Sequence, residues 1–113
     1  MKHSELIKGT LSTLILKLLE DKGKMYGYEI AQEIKEQSSG KIQIKEGSLY
    51  PALHKLEADG HVWAEEVFLG KRIRRYYHLT QKGKTQSTAD LNELRQFLST
   101  ISSMVSPQNM LTS

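Results

Sequence analysis

Four cations stand within five positions, Lys71, Arg72, Arg74 and Arg75, and upstream of them lie Lys45, Ser48, Tyr50, His54 and Lys55. These residue types do recognition chemistry. Guanidinium and ammonium groups meet phosphate-like anions, and hydroxyl and imidazole groups trade hydrogen bonds with polar edges. Bond-making chemistry lacks its parts. His3, His54, His61 and His78 have no metal-ligand spacing, and the chain has no Gly-rich phosphate loop. Ser48 and His54, six residues apart on a helix, fall on different faces and form no nucleophile–base dyad. The absence of cysteine removes disulfides and thiolate zinc sites. No catalytic residue, metal or cofactor is expected.

Charge is distributed unevenly. The 113 residues carry a net +3, but residues 1–40 are balanced, residues 41–85 carry +4, and residues 86–113 carry −1. A basic excess in mid-chain favours an anionic partner, of which nucleic acid is the commonest. With 38% apolar and 26% charged residues, the chain has the composition of one folded domain. Its longest apolar run, Leu14-Ile15-Leu16, is far too short to cross a bilayer, and the start lacks the apolar stretch of a secretory signal. A cytoplasmic location is the expectation.

The elements that must position these residues are mostly helical. A first helix spans about Ser4 to Asp21, with Ser4 as N-cap; Ile7, Leu11, Leu14, Ile15 and Leu18 make one face. Leu6 and Leu16 lie off that face, which implies a second covering element or a second chain. A second helix follows Met25-Tyr26-Gly27-Tyr28 to about Gln37, with Tyr26, Ile30 and Ile34 inward. Residues 41–45 alternate polar and apolar, as a short extended stretch or a small strand. A third helix runs from about Ser48, or from Glu46 at the cost of a small kink at Pro51, to Asp59. It turns Leu49, Ala52, Leu53 and Leu56 inward, and Ser48, Tyr50, His54 and Lys55 outward.

Two strands, about His61–Val67 and Arg74–Leu79, are joined by residues 68–73 with Gly70 at the turn. Of the adjacent tyrosines, Tyr77 is assigned inward and Tyr76 outward. Thr80 caps a last helix to about Met104, on which Leu91, Leu94, Leu98, Ile101 and Val105 repeat as a heptad seam widened by Phe97. That seam predicts a homodimer. The tail from Ser106 to Ser113 is polar and aperiodic.

Three helices, a basic hairpin and a long helix make a winged helix-turn-helix, mainly α with a small β-hairpin, followed by a C-terminal dimerisation helix. The expected division is 1–80 for the DNA-binding unit, 81–105 for the dimerisation helix and 106–113 for a frayed tail. In this architecture the third helix offers its polar face to the major groove and the hairpin, or wing, brings cations to phosphates or the minor groove.

The segment Glu46-Gly47-Ser48-Leu49-Tyr50-Pro51-Ala52-Leu53-His54-Lys55-Leu56-Glu57-Ala58-Asp59-Gly60 resembles the signature of PadR-type transcriptional regulators. Met25-Tyr26-Gly27-Tyr28-Glu29-Ile30 is similar to that family's second-helix start, and Arg74-Arg75-Tyr76-Tyr77-His78-Leu79-Thr80 with Gly83 to its second wing strand and helix entry. The resemblance covers roughly residues 5–105. It implies a bacterial or archaeal repressor, a homodimer held by the last helix with help from the first, where Leu6 and Leu16 fit. A single helix after the wing places the chain with the short members.

Carried over from the family, Tyr50 matches the tyrosine that meets the DNA backbone or a base edge, and Ser48 the small hydroxyl residue at the start of that helix. Lys45, His54, Lys55, Arg72, Arg74 and Arg75 are added from charge and face. Some short members stack flat aromatic drugs on a tryptophan of the last helix. Here the one tryptophan, Trp63, falls in the wing, and Ile73 stands where many relatives carry proline. A small-molecule effector is left open, its identity unspecified. The alternative reading is a winged-helix module that docks an acidic protein; RNA binding ranks third, because no stacking-platform pattern is present.

Overall fold

The computed structural model describes Ile7 and residues 9–106. Among these residues, four helices and a three-stranded antiparallel sheet follow in the order α1 (Leu11–Lys22), β1 (Met25–Tyr26), α2 (Gly27–Gln37), α3 (Glu46–Ala58), β2 (Val62–Leu69), β3 (Arg72–Leu79) and α4 (Gln81–Val105). The winged helix-turn-helix with a long last helix is therefore present as expected.

Several local boundaries differ, each for a physical reason. Helix α1 starts at Leu11 because the Thr10 amide and hydroxyl both bond back to the Ile7 carbonyl, at 2.8 and 3.0 Å, closing a turn ahead of the helix. The expected cap Ser4 lies outside the described residues. Helix α3 takes the earlier start, so Pro51 sits inside it. Proline has no N–H, so the Gly47 carbonyl has no helical donor. At its far end α3 closes with His61 N–H on the Leu56 carbonyl and Gly60 N–H on that of Glu57, at 2.9 and 3.0 Å, a Schellman closure.

The alternating stretch 41–45 forms no strand. Ser38 Oγ accepts the Ile42 N–H at 2.9 Å, a local bond in place of a ladder. Ile42 and Ile44 still turn to the core, as their alternation implied. A third strand forms elsewhere, β1 ahead of α2, which the sequence pattern does not announce because two residues carry no periodicity. It pairs Met25 with Tyr77 and Tyr26 with Tyr76, giving the order β1-β3-β2.

The wing is a longer ribbon than the sequence suggested. Its strands pair from Val62–Leu79 to Leu69–Arg72, which leaves only Gly70 and Lys71 as the turn. Gly70 has φ +65°, while Lys71 is not in the left-handed region. A glycine at the first turn position is the type II′ arrangement that matches strand twist.

The core gathers Ile15, Leu16, Leu19, Ile30, Leu49, Leu53, Leu56, Val62 and Tyr77. Tyr77 is buried and Tyr76 faces outward, as assigned. Leu16 is 0% exposed within its own subunit. The sheet and α4 cover the side of α1 that the helical wheel left bare, so Leu16 has no area left to bury against a partner and is a core residue. Thr80 caps α4 by accepting the Gly83 N–H at 2.9 Å. The first turns of α4 pack on α1, with Ser87 fully buried and its Oγ 3.3 Å from Glu20. Beyond them the helix leaves the body of the fold. Its 25 residues extend about 37 Å, and the chain measures 62 × 29 × 21 Å.

Candidate nucleic-acid interface

Helix α3 exposes a ridge made by Gly47, Pro51, His54 and Ala58, flanked by Tyr50 on the wing side and by Ser48 and Lys55 on the other. The geometry follows from the helical period: Leu49, Leu53 and Leu56 hold one face in the core, so these positions must face out.

On the wing side an open cleft of about 380 Å³ lies between three elements. Tyr26 and Gly27 contribute from the start of α2, Tyr50 and His54 from α3, and Arg72 to Arg75 from β3. The Tyr50 ring crosses Gly27 so closely that a Cβ there would stand 2.6 Å from Tyr50 Oη. Glycine at 27 is what lets the tyrosine lie in the cleft. Its hydroxyl makes no hydrogen bond among the described residues. Burial raises the Tyr50 pKa, with Glu46 and Tyr77 acting in the same direction, so the group stays a neutral donor.

The four wing cations are sorted by strand alternation. Arg72 and Arg74 share the face of β3 with Tyr76. The Arg74 guanidinium stands 4.0 Å above the Tyr26 ring, with Nη1 3.5 Å from the Tyr76 hydroxyl. Lys71 and Arg72 are exposed and carry no ion pair among the described residues. Arg75 lies on the opposite face. It donates to both oxygens of Glu57 on α3, at 3.1 and 3.2 Å, and to Glu66 on β2 at 3.0 Å. Arg75 thus ties the wing to α3 through surface pairs that solvent screens, at the edge of the cleft it also lines.

The structure thus brings together Tyr50, His54, Arg72, Arg74 and Arg75 around one cleft. It places Lys45 and Ser48 in a different cleft, with Ile7, Leu11, Ser12 and Ile44. Lys55 is exposed and pairs loosely with Asp59 at 3.1 Å, an i,i+4 contact that solvent screens heavily. Sequence reasoning missed Gly27 as the seat of Tyr50, and treated Tyr26 only as packing. The signal was the Tyr-Gly-Tyr run beside a third-helix tyrosine, but their proximity is tertiary.

The expected dimer residues divide as well. Leu6 lies outside the described residues. Leu91 and Leu94 are half-buried against their own subunit, whereas Phe97 is 61% exposed and Leu98, Ile101 and Val105 are also exposed. No cluster of three or more His, Cys, Asp or Glu among the described residues could hold a metal ion.

The sequence profile of the transcriptional regulator PadR-like family matches residues 15–89. An uncharacterised protein of Lysinibacillus sphaericus is 40% identical over 86 residues, 74% of this chain and 77% of that protein. Among solved structures, a transcriptional regulator from Clostridium thermocellum superposes with a TM-score of 0.84 at 31% identity, over 91% of this chain and all of that one. Bacillus subtilis PadR, solved in complex with operator DNA, superposes with a TM-score of 0.65 at 32% identity, over 72% of this chain and 46% of that one.

Proposed function

Because this chain belongs to the PadR-like family of transcriptional regulators, we propose that it is a homodimeric repressor that reads a pseudo-palindromic promoter site. In this reading residues 1–80 form the DNA-binding unit, 81–105 the dimerisation helix and 106–113 a frayed tail. One α3 of each subunit enters successive major grooves, about 34 Å apart. The observation that carries the reading is the cleft in which Tyr50, His54, Arg72 and Arg74 converge beside the exposed ridge of α3.

Tyr50 and Arg74 would meet backbone phosphate at the cleft, with His54 and Lys55 towards base edges. Ser48 and Lys45 would hold the strand on the far flank of α3, and Arg72 the phosphates beside the wing. The relative solved with operator DNA supports a duplex partner. The exposed apolar stripe from Phe97 to Val105 supports a second copy of this chain as the other partner. No helix among the described residues is long and apolar enough to cross a membrane, which accords with action in the cytoplasm. An effector, if there is one, is a small molecule of unassigned chemistry.

The test is fluorescence anisotropy on the duplex directly upstream of the protein's own gene, beside a scrambled duplex, titrated with salt from about 50 to 200 mM. Tight binding to the native duplex with a steep salt slope is the expected result. A shallow slope with no preference between duplexes would favour docking to an acidic protein instead.

A further inference from the structure

The chain's single tryptophan stands away from the α3 cleft, at the base of the wing. Trp63 on β2 is 49% exposed. Its indole lies flat against the His78 imidazole, with centroids 4.1 Å apart and an angle of 9°. His78 is itself held, 2.8 Å from Glu65. The indole is therefore braced from behind, and a ring already held in place loses little freedom when something stacks on its open side.

That ring borders a separate cavity of about 320 Å³, where the end of α1, the base of the wing and the first turn of α4 meet. Trp63 and His78 line it with Glu20, Lys24, Gln81 and Lys84, none of which reaches the α3 cleft. The charged groups are two cations against one carboxylate. Lys84 is exposed and has no ion pair among the described residues. Lys24 lies 3.4 Å from Glu65, whose carboxylate His78 already engages. Glu20 is occupied by the Ser87 hydroxyl, at 3.3 Å. The Gln81 carboxamide makes no hydrogen bond among the described residues and offers both a donor and an acceptor.

We propose that this cavity binds a purine nucleoside monophosphate. Its base would stack on Trp63, its edge would meet Gln81, and its phosphate would lie with Lys24 and Lys84. Each part of the site selects a part of that ligand. An exposed indole takes a flat ring of similar size, as aromatic side chains take bases. A carboxamide pairs with a purine edge that carries a donor beside an acceptor. A phosphate ester with nearly two negative charges calls for two ammonium groups. A plain aromatic hydrocarbon would leave the lysines and Gln81 unused, and inorganic phosphate would leave Trp63 unused. The volume is at the small end for ligand sites, the scale of one nucleotide. The site stands independently of the duplex reading. Because its groups come from β2, the α1–β1 link and α4, a ligand there would tie the wing base to the last helix.

The experiment uses the full-length protein without DNA. With one tryptophan in the chain, intrinsic fluorescence reports on Trp63 alone. Adenosine monophosphate should quench it saturably, with a Kd of about 1 mM or tighter, and should raise the melting temperature. Adenosine should bind roughly tenfold more weakly, because it lacks the charge-assisted bonds. Lys84→Gln should lower the affinity for the monophosphate to that for adenosine, with an unchanged melting temperature of the free protein because the side chain is exposed. Trp63→Leu, followed by calorimetry, should lose the binding of both. Absence of saturable quenching and of binding heat overturns the site. Equal affinity for adenosine and its monophosphate overturns the role of the lysines, and equal affinity for inorganic phosphate overturns the stacking. Tighter binding of a short single-stranded oligonucleotide than of the monophosphate overturns the mononucleotide in favour of a strand.

Discussion

Two regions of this molecule expose large apolar side chains, and their surroundings differ. The wing tip shows Phe68, Leu69 and Ile73 beside Lys71 and Arg72. The far half of α4 shows Phe97, Leu98, Ile101, Met104 and Val105, and between Gln96 and Ser106 it has no charged residue at all. Apolar exposure alone says only that something is to be covered. The neighbouring charge says what. On the reading proposed above, a cationic collar suits a polyanion, while an uncharged stripe at heptad spacing suits another apolar stripe, as a second copy of the helix would supply.

The most severe way to break this contrast is a charge in the stripe. Ile101→Asp should dissociate the dimer in sedimentation experiments, and the loss of bivalent contact should weaken operator binding by about 100-fold or more. Phe68→Asp should leave the oligomeric state untouched, and a monomer produced by that change would show that the wing tip had been given the wrong partner.

A smaller effect is expected at the collar. Arg72→Ala should weaken every duplex by roughly tenfold and flatten the salt slope by about 1. Unchanged slope would place Arg72 away from phosphate.

Arg75→Ala sharpens the distinction between the two kinds of wing cation. Its loss frees Glu57 and Glu66 and should cost about 1 kcal/mol of stability, a value kept low because the side chains are 37–51% exposed. The melting temperature should fall while the salt slope stays put. Arg72→Ala should do the reverse.

The smallest effect concerns the base of the wing. His78 lies 2.8 Å from Glu65 and stacks on Trp63, with ring centroids 4.1 Å apart and an angle of 9°. The hydrogen bond from His78 lowers the Glu65 pKa, and Lys24 reinforces the shift. A carboxylate lowered on folding contributes stability above its unfolded value, and that contribution is lost as pH falls through the folded value. Acid titration of thermal stability should therefore show a slightly smaller loss below about pH 4.5 for Glu65→Gln than for the unmodified protein. Identical acid curves would show that the pair contributes nothing.

Features that depend on near neighbours along the chain were legible in the sequence. The helical period placed Leu49, Leu53 and Leu56 inward and Tyr50 and His54 outward. Strand alternation put Tyr77 in the core, and Thr80 capped α4 through a residue three positions on. The motifs around Tyr26, Tyr50 and Tyr76 pointed to the family that the comparisons identify. Each of these follows from backbone geometry repeated over a few residues.

Other features depend on which distant segment comes to lie alongside, and only the tertiary structure decided them. Leu16 looked bare on a helical wheel, but the sheet and α4 cover it. Strand β1 exists only because Met25 and Tyr26 meet Tyr77 and Tyr76. Arg75 and Arg74 are adjacent in sequence and equal in charge, yet the pleat sends one to Glu57, 18 residues away, and the other to the Tyr26 ring beside the cleft. Charge can be counted along a chain, but whether a cation is free for a partner depends on what folding places within about 4 Å of it.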